Sequence, residues 1–176
     1  MKKRITALLA SSLLAMAAAQ AEKSAGEAVD DNTVNASVKA ALIENKTTKA
    51  HDINVETYKG VVQLSGFVDT AAEREEAAKV AAGVSGVRSV SNNISIGGKT
   101  SMGTKLDDSV TTGKVKAALM DASDVKSGQI NVETKAGIVQ LSGFVSSPAM
   151  KSKAGEVAAG VAGVKEVQNV LVVKAN

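Results

Sequence analysis

Residues 30–96 recur, without a gap, 77 positions further along the chain. Val38-Lys39-Ala40-Ala41-Leu42 falls on Val115-Lys116-Ala117-Ala118-Leu119, and Ile53-Asn54-Val55-Glu56-Thr57 falls on Ile130-Asn131-Val132-Glu133-Thr134. The run Val62 to Val68 matches Val139 to Val145 residue for residue, and 32 of the 67 paired positions are identical. Such self-similarity fixes the plan of the chain: one small unit has to fold twice. At about 67 residues the unit is near the lower limit for a domain that folds without a staple. No cysteine is present to supply one, so packing alone has to hold each copy.

Periodicity within a copy is legible. Asp31 or Asn32 can cap a helix whose apolar positions Val34, Val38, Ala41 and Leu42 follow a 3.6-residue repeat. Ile53, Val55 and Thr57 alternate with Asn54 and Glu56, as in a half-buried strand. Tyr58-Lys59-Gly60 turns the chain, and Val62, Leu64, Gly66 and Val68 form the inward side of a second strand. Thr70 and Glu73 make a capping box at the start of a second helix; the other copy starts it with Ser147-Pro148. Gly83 and Gly160, each followed by valine, read as glycine C-caps. A third strand follows, with Val90, Asn92, Ile94 and Ile96 on one side. The expected class is α+β: two tandem αββαβ domains, each a three-stranded mixed sheet with two helices on one face.

The N-terminus has a different grammar. Met1-Lys2-Lys3-Arg4 precedes an apolar run from Ile5 to Ala19, and Ala19-Gln20-Ala21 supplies small residues before Glu22. These are the parts of a cleaved secretory signal, and fifteen helical residues span only about 22 Å against a bilayer core of about 30 Å. The expected organisation is a signal peptide over 1–21, an N-terminal segment over 22–29, domains at 30–96 and 107–176, and a flexible linker over 97–106. A coil of that linker's composition reaches about 17 Å. Cleavage also changes the charge: removing Lys2, Lys3 and Arg4 brings 21 basic residues to 18, equal to the 18 acidic ones. The basic balance therefore belongs to targeting, and no broad attraction to nucleic acid is expected. Three aromatic residues leave little for stacking bases.

The Asp-led helix with Lys-Ala-Ala-Leu, then Ile-Asn-Val-Glu-Thr, Gly-Val-Val-Gln-Leu-Ser-Gly-Phe-Val and Ala-Gly-Val-Ser-Gly-Val, resembles the BON domain family over 30–96 and 107–173. The resemblance implies the αββαβ fold, a periplasmic address, a link to osmotic or envelope stress and attachment to phospholipid surfaces. It brings no catalytic motif.

Nothing else in the chain suggests catalysis, a metal or a cofactor. His51 stands alone in a loop and is matched by Gly128; a general base needs an orienting partner. Asp30-Asp31, Asp107-Asp108 and Glu73, Glu75 and Glu76 sit where helix N-termini favour acids. The glycines form no phosphate-binding signature. Gly66 and Gly143, inside strands, point to a bulge or a close approach of backbone.

Strand parity leaves one sheet face open. In the first copy it carries Asn54, Glu56, Gln63, Ser65 and Phe67; in the second, Asn131, Glu133, Ile138, Gln140, Ser142, Phe144, Val170 and Val172. The expected interaction surface is Ile138, Phe144, Val170 and Val172, unless a bulge at Gly143 turns Phe144 into the core. Lys114, Lys116 and Met120, on the first helix of the second copy, are the candidates for contact with anionic head groups. The expected partner is a phospholipid or envelope surface; the alternative is a chaperone-like factor that uses the open face to hold unfolded or envelope proteins.

Overall fold

The computed structural model describes residues 30–48, 50–97 and 100–174; the signal-peptide region and segment 22–29 lie outside them. The first copy runs α1 (Asp31–Glu44), β1 (Ile53–Tyr58), β2 (Val61–Val68), α2 (Ala71–Ala82) and β3 (Ser89–Ile96). The second runs α3 (Met102–Asp121), β4 (Asn131–Lys135), β5 (Ile138–Ser142), β6 (Phe144–Val145), α4 (Pro148–Ala159), β7 (Glu166–Asn169) and β8 (Val172–Val173). In the first sheet β2 is central, antiparallel to β1 and parallel to β3. The parallel pair needs the crossover that α2 provides.

The second sheet repeats the first with each long strand interrupted once. Phe144 pairs with Val172 at the same offset as Ile138 with Glu166, so register is kept across the breaks. Each copy has its own core. One gathers Val34, Val38, Leu42, Val55, Val62, Leu64, Val68 and Ile94; the other gathers Val115, Leu119, Val132, Val139, Leu141, Val145 and Leu171. Asn92 stands on the same side because its amide donates to the Arg74 carbonyl of α2, and Asn169 does likewise to Lys151 in α4.

Local chemistry explains the elements. Thr70 and Glu73 close the capping box, and Ser147 caps α4 with Pro148 in its first turn. The hairpins turn on two residues with positive φ, Lys59-Gly60 and Ala136-Gly137, the type I′ geometry that matches strand twist. Asp31, in the first turn of α1, and Asp108, which lies inside α3 rather than at its expected N-terminus, serve these turns. Asp31 accepts from the Lys59 and Gly60 amides, and Asp108 accepts from Ala136 and Gly137.

Three expectations need correction. The stretch 102–106, read as part of a linker, is the first turn and more of α3, because the Ser101 side chain caps it by accepting from the Thr104 amide. Gly83 and Gly160 end their helices in right-handed conformation; the positive φ comes three residues later, at Gly86 and Gly163. Finally, neither Gly66 nor Gly143 forms a bulge. Gly66 pairs one-to-one with Ile53 and Ile94, but at φ +114° it lets the Asp52 carbonyl approach the place where a Cβ would stand. Gly143, at φ +124°, does the same with the Gln129 carbonyl. Side-chain parity therefore survives the glycine, which places Phe67 and Phe144 on the side away from the helices.

Candidate functional site

That side is not open. The two sheets meet through their helix-free faces, and the bonds nearest the centre come in pairs related by the 77-residue offset. Ser95, bonded to Gln140 and Gln168, has no such mate because Val172 stands at its related position. Gln63 donates to the Val170 carbonyl at 2.6 Å, and Gln140 donates to the Asn93 carbonyl at 2.9 Å. The Gly143 amide donates to Gln63 Oε1 at 2.7 Å, and the Gly66 amide donates to Gln140 Oε1 at 2.6 Å. Asn131 donates to Glu56, and Asn54 hydrogen-bonds Glu133. Between these pairs Ser65 donates to Ser142. The arrangement is a pseudo-twofold axis within one chain, with the isologous logic of a symmetric dimer. Gln63 and Gln140 are buried to 1% and 2% exposure. Their amides are satisfied on both ends, as buried polar groups must be.

Gly66 and Gly143 serve this contact directly: each amide points across the axis to the other copy's glutamine. The positive φ that admits a neighbouring carbonyl thus also sends the N–H out to the interface.

The two edges of the interface differ. On one, the Tyr58 ring lies 5.6 Å from the Phe144 ring, with the Lys174 ammonium 5.2 Å from the Tyr58 centroid. On the other, the residue equivalent to Tyr58 is Lys135, paired with Asp69 at 3.7 Å. A cleft of ≈ 820 Å³ remains there, bounded by Asp52, Phe67, Asp69, Lys116, Glu133 and Lys135 among others. Burial pushes the Glu133 carboxyl above its ordinary 4.5; the Asn54 hydrogen bond opposes the rise, Asp52 adds to it, and Lys116 and Lys135 oppose it. His51 lies exposed at the mouth, 3.2 Å from Asp52. No group of acids or histidine that could hold a metal occurs among the described residues.

The residues singled out from sequence divide into two places. Phe144 is buried against Tyr58, Val170 gives its carbonyl to Gln63, and Ile138 and Val172 are half-buried. The apolar face therefore exists, and the first copy covers it. Lys114, Lys116 and Met120 are all exposed on α3, and the helix adds residues that the linker reading hid. Met102, Leu106, Val110 and Met120 are exposed by 76, 67, 57 and 73%. With the exposed Gly113 and Ala117, they recur at spacings of three and four and so form one stripe. The stripe lies opposite the buried residues Thr111, Val115 and Leu119. Lys114 flanks it on one side, Lys105 and Lys116 on the other. In the first copy Thr33 replaces Val110, and among the described counterparts only Ile43, which matches Met120, is a large exposed hydrophobic.

Comparison with known proteins agrees with the repeat. The BON domain pattern matches residues 30–98 and again 107–175. The chain belongs to the BON domain family. Among BON-containing relatives, it is 44% identical over 151 residues to Osmotically-inducible protein Y of Escherichia coli (strain K12), covering 85% of this chain and 75% of that protein. It is 37% identical over 150 residues to the 21 kDa hemolysin of Actinobacillus pleuropneumoniae, covering 85% and 77%. With the outer membrane lipoprotein DolP of Haemophilus influenzae (strain ATCC 51907 / DSM 11121 / KW20 / Rd) it shares 29% over 164 residues, covering 93% and 84%. Each BON domain here is one αββαβ unit, and the two units face each other across the pseudo-twofold.

Proposed function

We propose that this protein is a non-enzymatic envelope-stress factor of the periplasm that attaches peripherally to phospholipid through the outer side of α3. The supporting observation is the exposed apolar stripe from Met102 to Met120 between flanking lysines. A helix with this cross-section lies in the plane of a bilayer surface, its apolar residues at the head-group boundary and its lysines reaching the phosphates. The stripe is about 27 Å long at 1.5 Å per residue. Three lysines near an anionic surface contribute roughly 3 kcal/mol at most, and salt reduces this. The apolar side chains supply the remainder. No helix among the described residues is long and apolar enough to cross a membrane, consistent with surface attachment.

The names of the relatives support the setting: one is osmotically inducible, another an outer membrane lipoprotein. The signal-like N-terminus supports export. The client-holding alternative needs the sheet face, which is reached only when the two copies separate.

Co-sedimentation with vesicles tests the reading. The protein should pellet with vesicles containing phosphatidylglycerol, less so at high salt, and weakly with phosphatidylcholine alone. Leu106→Asp combined with Val110→Asp should weaken pelleting about tenfold or more, equivalent to about 1.4 kcal/mol per decade, while leaving the fold intact because both positions are exposed. No pelleting with any vesicle, or unchanged pelleting of the double variant, would defeat it.

A further inference from the structure

We propose that the sheet face of the first copy is a pairing surface for the same face of a second molecule of this protein. Asn54, Glu56, Gln63 and Ser65, the side chains that bridge the copies nearest the axis, each have an identical residue at the related position in the other copy, whereas the outer bridges Ser95–Gln168 and Lys135–Asp69 have none. The partners of the inner four across the axis are otherwise main-chain groups, the carbonyls of residues 93 and 170 and the amides of Gly66 and Gly143, with Ser95 as a further acceptor from Gln140. A face that meets its own donors and acceptors across a twofold is self-complementary. Two first copies set about the same axis repeat every one of these inner bonds.

What favours the first copy is the inequality of the two edges. In the closed chain Tyr58 stacks on Phe144 at one edge. At the other edge Lys135 stands where Tyr58 would be, so Phe67, though buried to 5% exposure, has no ring against it and an ≈ 820 Å³ cleft adjoins it. Pairing two first copies places Tyr58 against Phe67 of the second molecule at both edges, so both close with ring on ring. Such contacts add to the area they bury. Pairing two second copies places Lys135 beside Phe144 twice and gives no ring-on-ring contact at either edge. The tether holds the two copies of one chain at an effective concentration on the order of mM, so closure within the chain wins in dilute solution. Pairing between molecules emerges when closure is blocked.

The test uses the whole exported chain. Ser142→Lys places an ammonium on the axis and blocks closure, leaving the first-copy face unaltered; Ser65→Lys does the reverse. In sedimentation velocity at concentrations approaching the mM range of the tether, Ser142→Lys should be dimeric and Ser65→Lys monomeric. Adding Tyr58→Ala to Ser142→Lys should return it to monomer. A monomeric Ser142→Lys, or equal dimerisation by both lysine variants, overturns the proposal. If circular dichroism shows that the lysines unfold the copies, single thiols decide instead, in a chain with no cysteine of its own. With oxidised glutathione, Ser65→Cys should give a disulfide-linked dimer several times faster than Ser142→Cys or the exposed control Ser101→Cys. Equal rates for the three overturn it.

Discussion

The side-chain oxygens of Ser65 and Ser142 lie 2.7 Å apart, although 77 residues separate them and each occupies the same place in its own copy. A contact between equivalent atoms occurs only on or beside a symmetry axis. It locates the line about which the chain has folded onto its own duplicate. The bonds of Gln63 and Gln140 on either side follow from that line.

Removing one glutamine should be read at the other copy's glycine. Gln140→Ala takes away the acceptor of the Gly66 amide, and Gln63→Ala that of Gly143. A buried amide left without a partner costs about 1–3 kcal/mol. Hydrogen exchange should therefore accelerate about tenfold or more at Gly66 in the first variant and at Gly143 in the second, and at both if the copies separate outright. Unchanged exchange at these two amides would contradict the reciprocal geometry.

The aspartate clasps should differ in strength. Asp108 is 7% exposed and bonds two amides, one of them fully buried; Asp31 bonds a hairpin whose Lys59 amide faces solvent. Charged acceptors contribute about 1.5–3 kcal/mol per bond, and Ala136 at φ 54° needs support in a region that disfavours a side chain. Asp108→Ala should lower unfolding stability in urea by about 2–4 kcal/mol, Asp31→Ala by less, and Asp108→Asn by an intermediate amount. Equal losses for the two alanine variants would argue against the burial difference.

Glu133 gives the contact a pH dependence. Its folded pKa is raised above 4.5, chiefly by burial, so in the window between 4.5 and the raised value the folded protein binds more protons than the unfolded one. Stability contributed by protonated Glu133 is present below that window and declines as pH rises through it. Glu133→Gln should consequently be more stable than the parent at neutral pH and should lose this part of the slope. A variant equally stable at neutral pH, with the slope intact, would assign the dependence to another group.

Much of the architecture was legible in the sequence because its signals are local. Thr70 with Glu73, Ser147 with Pro148, and alternation through Ile53–Tyr58 depend on neighbours a few residues apart. Parity also assigned Gln63, Ser65 and Phe67 to the helix-free face. What covers that face was hidden, since Asn, Glu, Gln and Ser compose a hydrogen-bonded interface as readily as a solvated surface. One trace was present: Asn54, Glu56, Gln63, Ser65, Gly66 and Phe67 are all unchanged in the other copy, more agreement than solvation demands. The stripe on α3 was missed for a different reason. Glycine, serine and threonine at 97–104 read as coil, whereas Ser101 caps a helix that carries Met102 and Leu106.

Back-to-back sheets give the molecule four layers, helices outermost on each side. Layers of this kind sit roughly 10 Å apart, so the α1–α2 layer is centred about 30 Å from the α3–α4 layer and faces the opposite way. A molecule resting on the stripe of α3 would hold its first copy off the bilayer like a pedestal. Lipid attachment and whatever the first copy meets in solution then occur on separate sides, without competing for the same ground.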